Sequence, residues 1–316
     1  MRAVIENDPI ETVIVKPLSA HIGAEIEGVD LSVPLSASEV SAIRAALLKW
    51  RVIFFRDQPL THAQQVAFSA QFGELTLGHP VFGHVPDHPE VYSIAKFRQS
   101  TRFGGQAVHR PWSGWHTDVT AAVNPPFASI LRGVTIPPYG GDTQWTDLVA
   151  AYAALSAPLR HFVDGLRGVH RFAPPAGAQA TSDYRDAVEK RILVSEHPLV
   201  RVHPETGERA LYVSPSFLKH IVGLTPRESQ GLLELLWEHI VQPRFTVRFK
   251  WEANSLAFWD NRSTAHLAPT DIFDLDFDRQ LYRTTLVGDI PVGPDGRPSD
   301  ALEGSPVNAA EALALN

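Results

Sequence analysis

From about residue 76 to residue 145 the chain has no room for a long helix. Prolines and glycines cut it into short β-like runs, with Pro125-Pro126, Pro137-Pro138 and Gly140-Gly141 as punctuation. Proline lacks the backbone donor and fixes φ, and glycine is the weakest helix former after proline. Such a segment folds as short strands joined by tight turns. Residues 244 to 289 are again strand-like, so the middle and the end of the chain both supply sheet.

Helices gather elsewhere. Thr12 to Leu18 is rich in β-branched residues and reads as an opening strand. Ser36-Ala-Ser-Glu39 has the capping-box spacing, and Val40, Ile43, Ala46 and Leu47 give the helix behind it a buried stripe. Arg51-Val-Ile-Phe-Phe-Arg56 is an apolar run between charges, hence a buried strand. Thr61-His-Ala-Gln64 repeats the capping logic for a helix ending near Phe72-Gly73. Residues 147 to 170 read as helical, as do 225 to 240, where Pro226 follows Thr225 at the first helical position. Arg201 to Val213 is a hairpin with Gly207 in its turn. After Ile290 the text becomes Pro- and Gly-rich and reads as a loose surface tail, with one short helix from Ala309.

No internal repeat and no βαβ unit with a phosphate-binding glycine loop is visible. The expectation is one α+β domain over residues 1–316, with a core of about 12–292 and a tail of 293–316. Its architecture is a double-sheet jelly roll (double-stranded β-helix) with helical decoration. Composition narrows the chemistry. The net charge is −7 with no basic block, which argues against nucleic acid as a partner. There is no cysteine, so any metal must be held by histidine and oxygen. No run of 18 apolar residues suggests a membrane span, and the first residues show no apolar secretory region, so the expected compartment is the cytoplasm.

Within this frame one set of residues stands out: His116 and Asp118 in Trp-His-Thr-Asp, His266 far downstream, then Arg279 and Arg283. On an extended segment, positions two apart face the same side, which suits two adjacent ligands. Two imidazoles and a carboxylate leave half of an octahedral Fe(II) site open for a co-substrate and O2. An arginine after the second histidine can hold the far carboxylate of 2-oxoglutarate by a bidentate contact. Each piece has a bland reading. With 14 histidines in the chain, His88-Pro-Glu90 and His203-Pro-Glu205 show similar spacing in turns, so a lone His-x-Asp means little. His266 alone would read as a core histidine, and Arg279 as a solvated charge after Asp274, Asp276 and Asp278.

Ordered blocks decide between these readings. Trp115-His-Thr-Asp-Val-Thr120 resembles the proximal iron motif of the taurine dioxygenase and dichlorophenoxyacetate dioxygenase family. Gly140-Gly-Asp-Thr143 with Trp145, His197 to Gly207, Trp259-Asp-Asn-Arg-Ser-Thr-Ala-His266 and Arg279 to Asp289 follow at compatible distances. Lys16-Pro-Leu18, Ile22-Gly-Ala-Glu-Ile-Glu-Gly28 and Val52 to Arg56 extend the match, which covers about residues 12 to 292. The resemblance implies an Fe(II)/2-oxoglutarate-dependent dioxygenase with His116, Asp118 and His266 on the metal. It places Arg279 and the Thr143 hydroxyl on 2-oxoglutarate, and Arg283 on an acidic group of the primary substrate. Members often form dimers or tetramers, so a homo-oligomer is expected.

For the substrate, His79, Val119 and Phe217 match pocket residues of the taurine enzyme. Phe82 stands where that enzyme has a tyrosine, and Trp112 where it has an asparagine. Losing two polar partners favours an anionic small molecule with an apolar tail, since each unpaired polar group costs about 1–3 kcal/mol. The resemblance points to an alkyl sulfate or sulfonate cleaved to an aldehyde with sulfate or sulfite, alongside succinate and CO2. An aryloxyalkanoate dioxygenase and a biosynthetic hydroxylase of a carboxylic acid remain alternatives, with an inactive ligand-binding jelly roll or a Zn hydrolase as remote ones. Phe82 and Trp112 filling core volume is the bland reading of the pocket. Residues 98–110, rich in Gly, Ser and Gln, read as a lid or a solvated loop.

Overall fold

Two sheets face each other across a layer of aromatic side chains, as the short-strand pattern requires. A computed structural model of the chain describes residues 13–79, 83–95, 110, 112, 114–172 and 192–308. The larger sheet contains β1 (Ile14–Pro17), β2 (Ala24–Glu27), β3 (Val52–Phe55), β4 (Tyr92–Ala95), β6 (Ala128–Thr135), β14 (Leu256–Asp260) and β16 (Gln280–Leu286). Their order is β1-β2-β3-β14-β6-β16-β4, antiparallel except for the β2–β3 pair. The smaller sheet runs β13 (Thr246–Phe249), β7 (Thr143–Asp147), β15 (Thr264–Leu267), β5 (Trp115–His116).

Why Val52 to Phe55 is apolar throughout is now plain. On β3, Val52 and Phe54 point between the sheets, toward Trp145, Val247, Phe249 and Trp259. Ile53 and Phe55 point the other way, into a second core under α1 (Ala37–Trp50) and α2 (His62–Ala70). A strand buried on both faces has no polar alternation to show. Both helices start at the boxes read from sequence: Ser36 with Glu39 and Thr61 with Gln64 bond reciprocally.

Beyond the smaller sheet, a third core packs α3 (Leu148–Ala153), α4 (Ala157–Asp164) and α5 (Pro226–Ile240) against the hairpin of β10 (Val200–Val202) and β11 (Arg209–Leu211). Gly207 sits in that hairpin turn as expected. Two expectations fail here. Residues 147–170 are not one helix: Ser156 caps a new start with Pro158 behind it, and after Gly165 the chain becomes β8 (Arg167–Arg171). Nor is the chain after Ile290 loose. β17 (Asp300–Glu303) pairs with β9 (Val194–Pro198), completing the sheet β12-β8-β9-β17 with β12 (Leu218–Ile221). The helix expected from Ala309 lies outside the described residues.

The end of β16 approaches its neighbour too closely for any side chain. A Cβ placed on Gly288 would lie 1.8 Å from the carbonyl oxygen of Pro125 and 2.7 Å from the amide nitrogen of Phe127. Neither backbone atom can swing away. Gly288→Ala should therefore cost more than ordinary overpacking, about 3 kcal/mol or more, read as a lowered urea midpoint. An unchanged midpoint would refute the close approach.

Candidate active site

His116 and His266 come together because β5 and β15 are antiparallel neighbours in register. Their Cα positions are direct partners, and their ring centroids lie 4.1 Å apart. Asp118 follows two residues later on the turn leaving β5, and one ligand-capable atom from each of the three lies within 4.8 Å of the others. His116 Nδ1 faces the Gly114 carbonyl at 3.0 Å, which leaves Nε2 for a metal. His266 Nδ1 is buried without a hydrogen-bond partner among the described residues.

Electrostatics set the protonation states. Burial alone would raise the Asp118 pKa, but the Arg283 guanidinium, the two imidazoles and the Ser129 hydroxyl outweigh it and hold the carboxyl well below its usual range. Burial, then the neighbouring His116, holds His266 well below 6.5. A carboxylate beside a neutral imidazole is the form in which such groups bind a divalent cation, so the donor set fits one.

The two arginines enter the same cleft by different routes. Arg283, on β16, donates from Nη1 to Asp118 Oδ1 at 2.5 Å, and its Nε is buried with no partner among the described residues. Arg279 lies just before β16, where a register irregularity separates Gln280 from Leu281. Its Nε donates to the Gly141 carbonyl at 3.0 Å and its Nη2 reaches Thr143 Oγ1 at 3.5 Å. Gly141 has φ +73°, and a Cβ there would press on the Arg279 side chain at 3.1 Å, so Gly140-Gly141 shapes the arginine's seat. Burial pushes Arg279 down to about 10, against the pull of Asp271 and Asp142, so it stays charged at neutral pH. Among the described residues it makes no ion pair. Thr143 Oγ1 accepts from Trp251 Nε1 at 3.0 Å, which leaves the hydroxyl hydrogen to donate.

Aromatic contacts lead from Arg283 round to His116. Arg283 lies over Tyr92 at 5.2 Å, and Tyr92 meets His79 at 5.0 Å. His79 meets Phe172 at 6.1 Å, Phe172 stacks on Phe217 at 5.7 Å, and Phe217 reaches His116 at 6.3 Å. Phe172 and Phe217 pack on a cluster containing Val119. Val119 holds φ +50°, which costs a β-branched residue about 1–3 kcal/mol and marks the turn as one whose shape is imposed by its surroundings. Tyr92 and Phe172 were not picked out from sequence, because isolated aromatics in a chain with 16 Phe and 6 Tyr carry no pattern. Trp112 packs against Trp237 at 5.9 Å within the core under α5. Phe82 and residues 98–109 of the lid segment lie outside the described residues, while Arg110 pairs with Glu234.

The histidine-rich block from His197 to Gly207 supports the turn rather than joining the metal set. His197 Nε2 donates toward the carbonyls of Thr120 (2.8 Å) and Ala122 (3.1 Å), while Nδ1 lies 2.6 Å from Ser299 Oγ, whose hydroxyl also faces the Pro291 carbonyl at 2.9 Å. His203 Nδ1 accepts from the amides of Glu205 and Thr206, so Nε2 carries the proton and donates to Asp260 Oδ2 at 3.0 Å. Asp260 also pairs with Arg262, which reaches Glu205.

The profile described as "Taurine catabolism dioxygenase TauD, TfdA family" matches residues 14–285. An alpha-ketoglutarate-dependent sulfate ester dioxygenase of Pseudomonas putida is 41% identical over 290 residues, covering 90% of this chain and 92% of the relative. An alkylsulfatase of Acinetobacter baylyi is 37% identical, covering 94% of this chain and 91% of its own length. A crystal structure of a taurine dioxygenase from Burkholderia xenovorans superposes with a TM-score of 0.83 at 73% identity, covering 96% of this chain and all of that one.

The clamp on the turn makes stability depend on pH. Burial lowers the His197 pKa from 6.5 to about 3, against the two carbonyl contacts, which favour the charged form. Between those values the unfolded chain binds a proton that the folded one does not. The stabilisation is therefore complete above pH 6.5 and is lost as pH falls toward 3, at a slope approaching about 1.4 kcal/mol per pH unit. Urea unfolding of chelator-treated protein should show this fall on top of those from His266 and His170, which burial also lowers, and His197→Gln should reduce the slope by up to about 1.4 kcal/mol per pH unit. Equal slopes in both proteins would refute the assignment.

Proposed function

The chain belongs to the taurine catabolism dioxygenase (TauD, TfdA) family, and on that premise we propose that it is an Fe(II)- and 2-oxoglutarate-dependent dioxygenase acting on an alkyl sulfate or sulfonate. The observation that carries this reading is the convergence of His116, Asp118 and His266 within 4.8 Å, beside two buried arginines. Fe(II) on these three residues, with 2-oxoglutarate and O2, would supply hydroxylation of a substrate C–H, releasing succinate and CO2.

The chain's own residues bind and orient. Arg279 takes the far carboxylate of 2-oxoglutarate, its guanidinium aligned by the Gly141 carbonyl, and Thr143 adds a hydroxyl donor. A Zn hydrolase would give this buried arginine no task. Arg283 and His79 receive the anionic head of the substrate. Val119, Phe172 and Phe217 take the apolar tail and keep water from the reacting carbon. Hydroxylation next to a sulfate oxygen or sulfonate sulfur leaves a product that collapses to an aldehyde with sulfate or sulfite. With Trp112 packed against Trp237, the apolar wall rests on Val119, Phe172 and Phe217. No helix of the described residues is long and apolar enough to cross a membrane. The family resemblance supports a dimer or tetramer, and the co-substrate supports work in the cytoplasm.

Two measurements test this. Succinate release should be greater with hexyl sulfate or hexanesulfonate than with taurine, because each buried methylene contributes about 0.8 kcal/mol. Preference for taurine would overturn the apolar-tail reading, and turnover of an aryloxyacetate alone would move the enzyme to the herbicide-degrading branch. Arg279→Ala should raise the 2-oxoglutarate requirement by orders of magnitude. Arg283→Ala should chiefly weaken the primary substrate, leaving slow uncoupled 2-oxoglutarate consumption. The reverse pattern would exchange the two roles.

A further inference from the structure

A chain of buried hydrogen bonds ends on Asp118, and every link in it can run in one direction only. Trp259 Nε1 donates to Asn261 Oδ1 at 2.9 Å. An indole N–H can only donate, so it fixes the carbonyl side of the Asn261 amide. The other side, Nδ2, therefore faces Ser129 Oγ at 2.9 Å and must donate to it. With its oxygen accepting from Asn261, Ser129 has one hydrogen to give, and that goes to Asp118 Oδ2 at 2.6 Å. Trp259, Asn261 and Ser129 are all no more than 1% exposed, so water cannot substitute at any link.

The two carboxylate oxygens of Asp118 are thereby made different. Oδ2 is committed to the Ser129 hydroxyl, and Oδ1 is the oxygen that faces Arg283 (2.5 Å) and His116 Nε2 (4.0 Å). We propose that Trp259, Asn261 and Ser129 are positioning residues that hold Asp118 as a one-oxygen metal ligand. The inference rests on the metal site of the preceding section and assigns roles to three residues that touch no metal. Its physical content is orientation. A carboxylate free to rotate offers both oxygens to a cation, occupies a position that a co-ligand needs, and spends rotational freedom on binding. The relay removes that freedom before the cation arrives. Ser129 and Asn261 lie on different strands and loops of the chain but meet across the β6–β14 pair, where Ser129 is the register partner of Trp259. The apparatus is therefore fixed by the sheet itself.

The test uses the full chain under anaerobic conditions, with Co(II) followed by its visible absorption and, separately, Fe(II) with 2-oxoglutarate followed by its visible charge-transfer band. Ser129→Ala should weaken Co(II) binding by about 10-fold or more and diminish the charge-transfer band. Trp259→Phe, which keeps a ring beside His266 but removes the only N–H, should weaken binding less, because Asn261 can then turn its carbonyl to Ser129. The double variant should bind Co(II) like Ser129→Ala alone, since Trp259 acts only through the serine; a double variant that binds clearly more weakly than Ser129→Ala would overturn that order of action. Thermal unfolding of the metal-free proteins separates loss of fold from loss of orientation. Parent protein that binds Co(II) while Ser129→Ala binds within about twofold of it overturns the relay and leaves the metal site standing. Parent protein that binds no Co(II) overturns the metal site, and the relay with it.

Discussion

The antiparallel register that sets His116 opposite His266 is the constraint on which the rest depends. It joins residues that are far apart in the chain, and a slip of one position would turn one imidazole to the opposite face. The register is in turn held by β7, whose Trp145 partners His266 on the other side of β15 and lies fully buried between the sheets. Pairing therefore fixes the imidazoles, and packing fixes the pairing. Asp118 needs separate support because it stands beyond the strand, on a turn that contains a residue with positive φ. That support comes from β6, β9 and β16 through Ser129, His197 and Arg283.

An acidic chain has concentrated its buried charge as arginine. Arg132, Arg201, Arg262, Arg279 and Arg283 are all no more than 6% exposed. They are not alike. Arg262 is saturated by Asp260 and Glu205, which, despite the cost of burial, hold it above its usual range. Arg132 is satisfied by neutral groups, Gln65 and the Leu60 carbonyl among them. Arg279 and Arg283 keep donors uncommitted to any acid outside the metal set. A buried cation is costly unless something anionic completes it; Arg51, Arg167 and Arg201 also leave a buried donor unpaired among the described residues, but each of them already has an acid, which Arg279 lacks there.

Much of this was legible in the residues. Capping boxes announced two helices, and Thr225-Pro226 a third, because the side chains that start them are local in sequence. The metal set and Gly140-Gly-Asp-Thr143 were legible as ordered blocks. Elsewhere the deciding contacts were distant. The strand over Arg167–Arg171 exists because β9 and β12 flank it, which no local propensity records. The stretch after Ile290 looked loose because its order comes from Pro198, His197 and Asn124, far upstream. His203 had ligand-like spacing with Glu205, yet its partner is Asp260, brought in by another strand. Ser129 carried no signal, since its role depends on an asparagine that arrives only when β14 is placed.

The last described segment closes over the turn that follows β5. Ser299 bonds His197, and Val307 exchanges two backbone–side-chain hydrogen bonds with Asn124, both at the back of the turn that carries Asp118. During synthesis the chain emerges amino end first, so these partners leave the ribosome after every ligand has done so. Until then the turn lacks its clamp, and β9 presents an open edge where β17 will later lie. The nascent protein thus carries His116, Asp118 and His266 for some time without the contacts at the back of the turn that hold Asp118 in place.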